Sequence, residues 1–173
     1  GTRLLNNGPE LVAVAEAVKA DSQGEEQISR QVVATLSRLE DLPTCTQLGL
    51  VAESRILAGI IGAGLTWCAY LPRQSGIISF ASDGLSGQPK FQKCKDLACS
   101  WCQELGHEVQ HLSSTLIDGK PSGESQGDSD VFSRVLAWSH FQVGARFKVE
   151  AEHFREAVEH YVRTLKPLRF GGQ

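Results

Sequence analysis

Apolar residues recur along most of this chain at intervals of three and four, the spacing that gathers them on one side of an α-helix. Leu11, Val14, Ala15 and Val18 form one such stripe. It opens at Gly8-Pro9, where a proline in the first turn gives up only an N–H that would lack a helical partner anyway. A second helix is expected from Glu25 and Glu26, acidic residues suited to the positive end of the helix dipole, with Ile28, Val32, Leu36 and Leu39 as its buried side. Leu42-Pro43 closes it, because the residue before a proline is pushed out of the α region. A third helix is expected from about Thr46 to Leu71, a fourth from Phe91 to Leu116 with Leu97, Trp101, Leu105 and Leu112, and a fifth that includes Val135 and Trp138. A sixth runs from Ala145 to Lys166 and carries Phe147, Phe154, Ala157, Val158, Tyr161 and Leu165.

Two stretches break this rhythm. Residues 73 to 90 form a loop region in which Gly76-Ile77-Ile78-Ser79-Phe80-Ala81 is the one convincing strand candidate, followed by the turn-forming Ser82-Asp83-Gly84. Residues 118 to 130 are rich in Gly, Ser and Asp and read as a mobile loop. The pattern therefore predicts a single all-α domain over 1–173, a five- or six-helix bundle or short repeat-like array, with a short extended segment near 76–81.

Charge removes some function classes. Seventeen basic against twenty acidic residues leave a net charge of −3, without the basic excess that phosphate backbones select, so nucleic acid is not an expected partner. Between Ile56 and Pro72 there is no charge at all, a length of about 17 residues that only just reaches the span of a bilayer. A buried central helix is the expectation there, with Gly59, Gly62 and Gly64 admitting close neighbours, and no membrane contact is expected. The five cysteines, Cys45, Cys68, Cys94, Cys99 and Cys102, are an odd set spread through apolar pattern, which suggests reduced thiols inside a cell, in cytoplasm or nucleus. The chain contains no Met and reads as a piece of a larger intracellular protein.

One pentapeptide carries chemistry. His107-Glu108-Val109-Gln110-His111 is an HExxH pattern: on a helix its two imidazoles share one face and can hold one Zn²⁺, while the glutamate stands beside the metal-bound water as general base. Glu150 or Glu152 would complete the zinc shell, with His153 or His160 near the oxyanion. Glu108-x-x-His111 and Glu150-x-x-His153 also have the spacing of a two-metal helical bundle, for which Glu16 and Glu53 would be the remaining carboxylates.

Residues 25 to 61, through Ile28-Ser29-Arg30-Gln31-Val32-Val33-Ala34-Thr35-Leu36 and Leu48-Gly49-Leu50-Val51-Ala52-Glu53, resemble an armadillo or HEAT-type helical repeat. The same stretch is similar to the N-terminal helical domain of transcription elongation factor S-II, where a leucine-rich helix ends in a proline turn like Leu36 to Pro43. Both resemblances imply a domain that binds another protein or a peptide, as scaffold or adaptor and without a cofactor. Trp101 and Trp138 are the candidate anchors for that partner, and a zinc peptidase built on His107, Glu108, His111 and Glu150 is the alternative.

Overall fold

The structure is a computed structural model that describes residues 4–20, 30–31, 39–60, 63–82, 97–118 and 146–165. The expected all-α bundle is not what forms, and neither a helical-bundle nor an armadillo-like description fits: the centre of the molecule is a five-stranded mixed sheet. Its elements run β1 (Leu4–Leu5), α1 (Gly8–Ala17), β2 (Lys19–Ala20), β3 (Arg30–Gln31), a short 3-10 turn (Leu39–Asp41), α2 (Thr44–Glu53) and β4 (Ile56–Ile60). A 3-10 segment (Ala63–Tyr70), β5 (Gly76–Ser82), α3 (Leu97–Glu104), β6 (Glu108–Asp118), β7 (Arg146–Val149) and α4 (Ala151–Thr164) follow. The sheet order is β1-β7-β6-β5-β4, with β4, β5 and β6 parallel, β7 antiparallel to β6, and β1 parallel to β7. A separate two-stranded ribbon pairs β2 with β3.

Each expected long helix that failed did so at an identifiable place. The third divides after Glu53: Ser54 adopts extended backbone at φ −84°, ψ 144°, and Ile56-Leu57-Ala58-Gly59-Ile60 becomes a half-buried edge strand, with Ile56 and Ile60 packed on one face and Leu57 on the other. An uncharged run suits a parallel strand, which needs apolar side chains on both faces. The sixth loses its first turn to β7, where Phe147 and Val149 are buried and the residues between them exposed, a period of two. The extended segment expected at 76–81 is β5, and the apolar stripes on α1 and α4 are the buried sides of those helices. The expected second helix, the loop at 118 to 130 and the fifth helix with Trp138 lie largely outside the described residues.

Alternation along β5 sorts the core into two layers. Ile78 and Phe80 point to one face, where α1 and α4 pack through Leu11, Ala15, Val18, Phe154, Ala157, Val158 and Tyr161. Ile77 points to the other, where Val51 of α2, Leu65, Cys68 and Leu71 of the 3-10 region and Cys102 of α3 cover it. Tyr161 fastens α4 to the first face. Its hydroxyl lies 2.9 Å from the carbonyls of both Ile77 and Glu108, to which its single proton is shared, and its ring lies flat on Gly76, where an added Cβ would come within 2.7 Å of the ring carbons. Burial, and then the charge of Glu108, push the Tyr161 hydroxyl well above the usual phenol range, so it stays protonated and donating.

Asn7 closes the other edge. Its side-chain amide donates to the Val149 carbonyl at 2.8 Å and its side-chain oxygen accepts from the Val149 N–H at 3.2 Å, extending the β1–β7 pairing by one mimicked peptide.

On the second face Cys68 and Cys102 form a disulfide across 34 residues, tying the β4–β5 connection to the β5–β6 connection. This corrects the expectation of reduced thiols for these two, while Cys45 is free and exposed. Chain-entropy arguments give such a loop about 3–4 kcal/mol of stabilisation. Replacing both residues by Ser is expected to lower unfolding free energy by that amount in denaturant titration. Thiol titration of the unfolded, unreduced wild type is expected to find no more than three reactive thiols, and a count of five would remove the bond.

Candidate functional site

Helix α3 ends at Glu104, two residues short of the HExxH pentapeptide, and Gly106 is the cause. It takes the left-handed conformation at φ 84°, its N–H bonds the Gln103 carbonyl at 2.9 Å and the His107 N–H bonds the Cys102 carbonyl at 3.1 Å, the paired closure that terminates helices at glycine. Beyond it the chain enters β6, whose β-branched residues Val109, Thr115 and Ile117 favour extended backbone. In a strand, four residues span about 13 Å, so His107 and His111 cannot grip one ion.

Each residue of the pentapeptide therefore has its own partner. His107, just ahead of β6, is 6% exposed, with Nδ1 accepting the Ser75 N–H at 3.3 Å and a further hydrogen bond to the Cys68 backbone. Glu108 points to the α4 face, exposed, with Oε1 2.7 Å from His160 Nε2. His111 points to the opposite face, so the sheet stands between it and Glu108, and its Nδ1 contacts the Ser79 hydroxyl. Glu150 is exposed at the residue before α4, Glu152 pairs with Arg155 at 3.4 Å, and His153 is exposed. Glu16 and Glu53 are exposed on helices belonging to opposite faces. Among the described residues, no three His, Cys, Asp or Glu side chains converge as a metal would require.

What the parallel strands do assemble is a transverse row. Gly59 of β4, Ser79 of β5 and His111 of β6 are direct neighbours in register, and the period of two puts all three on the disulfide-bearing face. Leu65 reaches over Gly59, its Cδ2 3.6 Å from where a Cβ would be. Ser79 is completely buried. His111 is exposed, and so are Ser113, Thr115 and Ile117, the next residues of β6 on that face, so among the described residues the cover over the sheet stops at this row. Sequence reasoning missed Ser79. Its signal is the one hydroxyl inside the apolar run Ile77-Ile78-Ser79-Phe80.

The row lies next to the last residue of β4, at the middle of β5 and in the amino-terminal half of β6. Beyond the carboxyl end of β4 the 3-10 segment begins at Ala63-Gly64. A Cβ at Gly64 would meet nothing within 4 Å, so its lack of a side chain answers no crowding from the protein. Trp101, expected as a partner anchor, is 43% exposed on α3 beside the disulfide, with Leu105 at 40% and, beyond Cys68, Tyr70 at 56%. Trp138, the other anchor, lies outside the described residues. Among the described residues no helix is long and apolar enough to cross a membrane. Compared with known proteins, the chain matches no family model and no curated sequence.

Burial pushes the His107 imidazole below its ordinary value, and the Arg55 charge acts in the same direction, outweighing the hydrogen bond to the Cys68 backbone. The folded site thus refuses a proton that the unfolded chain takes up near pH 6.5. Above that pH both states are neutral and stability is full. As pH falls through 6.5 toward the lower folded value, stability is lost by up to about 1.4 kcal/mol per pH unit. Denaturant unfolding at pH 7.5 and pH 5 is expected to show this loss, and a His107→Gln variant is expected to show a shallower one.

Proposed function

We propose that this α/β chain takes a small molecule beside the carboxyl end of β4, along the row that crosses β5 and β6. The observation that carries the reading is the Gly59–Ser79–His111 row, an exposed imidazole backed by a buried hydroxyl where, among the described residues, the covering layer ends. Two general features of open parallel sheets support it. Their connections leave a crevice beyond the carboxyl ends of the strands, which is where such folds hold ligands. The first turn of a helical segment has N–H groups without intrahelical acceptors, so the glycine-opened start of the 3-10 segment suits an anionic group. The ligand class is therefore a small molecule bearing phosphate or carboxylate, read at its other end by His111.

The test is chemical-shift mapping of the isotopically labelled protein with inorganic phosphate. Shifts confined to Gly64 and its neighbours and to His111 support the reading, and His111→Ala is expected to weaken binding about tenfold, the value of one hydrogen bond to a charged group, with unfolding unchanged. Saturable binding elsewhere on the molecule would overturn it.

The disulfide bears on the compartment. Because Cys68–Cys102 persists only where thiols are oxidised, it supports a secreted or luminal location over the reducing one that the cysteine pattern suggests.

A second reading keeps the protein partner. Exposed Trp101, Tyr70 and Leu105 flank the disulfide, and large aromatics of this kind anchor interfaces. Peptides selected on the immobilised protein are expected to bind Trp101→Ala at least about tenfold more weakly, as hot-spot truncations do. Peptides indifferent to that substitution would end the reading.

A further inference from the structure

We infer that the cavity between the amino ends of β5 and β6 and the last turn of α4 binds a small primary amine in its ammonium form, with Glu108 as the counter-charge. Glu108 faces α4, so this site is separated by the sheet from His111 and does not depend on the reading of the Gly59–Ser79–His111 row.

The cavity measures about 230 Å³ and is lined by Gln74, Gly106, Glu108, Thr164 and Leu165. Drug-sized pockets begin at roughly 300 Å³, so its occupant is small. Glu108 is the one charged side chain of that lining, and the end of α4 adds to the negative potential because its last carbonyls have no intrahelical N–H to meet. A cation is therefore favoured. The hydrogen bonds decide which kind. A carboxylate only accepts, so His160 Nε2 donates to Glu108 Oε1 at 2.7 Å, which orients the carboxylate and leaves Oε2 without a partner among the described residues. Thr164 donates its one hydroxyl proton to the His160 carbonyl at 2.9 Å, so its oxygen can only accept from a ligand. The Gln74 amide oxygen is a third acceptor. An ammonium carries three N–H donors and no acceptor, which matches this set, and Leu165 gives its alkyl stem an apolar wall. Gln74 supplies an independent sign. It holds left-handed backbone at φ 59°, a conformation that glycine takes without strain and that glutamine seldom adopts. Arg55, which does not line the cavity, grips the Arg73 and Gln74 carbonyls there, each at 3.2 Å. Glycine would serve that turn better, and what glutamine adds is an amide at the cavity wall.

The test is titration of the disulfide-intact, isotopically labelled chain with n-butylamine at pH 7.5, where the amine is protonated, followed through amide chemical shifts. Saturable shifts centred on Gln74, Gly106, Glu108 and Thr164 are expected, with Glu108→Gln weakening binding about tenfold, the value of one hydrogen bond to a charged group. Tetramethylammonium, which has the charge but no N–H, is expected to bind at least about tenfold more weakly than butylamine. Gln74→Gly separates binding from folding, and decides the matter even where Glu108→Gln fails to fold. It is expected to raise the denaturant midpoint, because strain is relieved, while weakening butylamine binding. A merely structural glutamine would leave binding unmoved. Absence of saturable shifts, saturation elsewhere on the molecule, binding indifferent to Glu108→Gln or Gln74→Gly, or tetramethylammonium bound as tightly as butylamine overturns the inference.

Discussion

Covering β5 on both faces is the constraint from which the rest of the architecture follows. A parallel strand has no solvent face to spare, so Ile78 and Phe80 require one layer of helices and Ile77 requires another. On the first side Tyr161 does this with its ring against Gly76 and its hydroxyl on the backbones of β5 and β6 together. Any side chain at Gly76 would lift that ring away. On the second side the covering segments are short, an eight-residue 3-10 segment and an eight-residue helix, and neither buries much area alone. The disulfide between them and the hydrogen bonds of His107, to Ser75, to the Cys68 backbone and through its own N–H to Cys102, tie these segments together.

Gly106 decides what the HExxH sequence becomes. Read by spacing, the four-residue interval between His107 and His111 matches a helix as well as any metalloprotease motif does. The interval has chemical meaning only if the helix continues through it. A left-handed glycine immediately ahead turns the chain into a strand, and the same residues are then distributed to opposite faces of a sheet. Glu108 finds His160 on one side and His111 finds Ser79 on the other.

The legible parts of the sequence were those in which one face is buried and the other wet. The stripe Leu11, Ala15, Val18 and the stripe Phe154, Ala157, Val158, Tyr161 are the buried sides of α1 and α4, because a surface helix writes its period into the chain. The strand at 76–81 was legible from its bounding turns. Residues 56 to 60 and 108 to 118 were not, for two different physical reasons. A strand with apolar side chains packed on both faces has no alternation to read, and Ile56-Leu57-Ala58-Gly59-Ile60 looks like helix interior until Gly59 is weighed as a break. In β6 burial alternates from His111 onward but residue type does not follow it, since Ser114 is buried and Ile117 exposed, and the HExxH spacing draws attention to the wrong period. The candidate site was half legible: His111 stood out for its motif, whereas Ser79 acquires meaning only through a neighbour 32 residues away.

That separation bears on why the row belongs to function and not to packing alone. For packing, the β5 position between Ile78 and Phe80 would be served by Val or Ala, which fill a buried site at no cost in hydrogen bonding. A serine there is tolerated only with a partner, and among the described residues its hydroxyl meets the Gln110 carbonyl and the His111 imidazole. Histidine in turn contributes little to stability from an exposed strand position. Each residue is a poor choice for the fold taken singly, and the two make sense together as a buried hydroxyl behind an exposed imidazole where, among the described residues, the layer above the sheet ends.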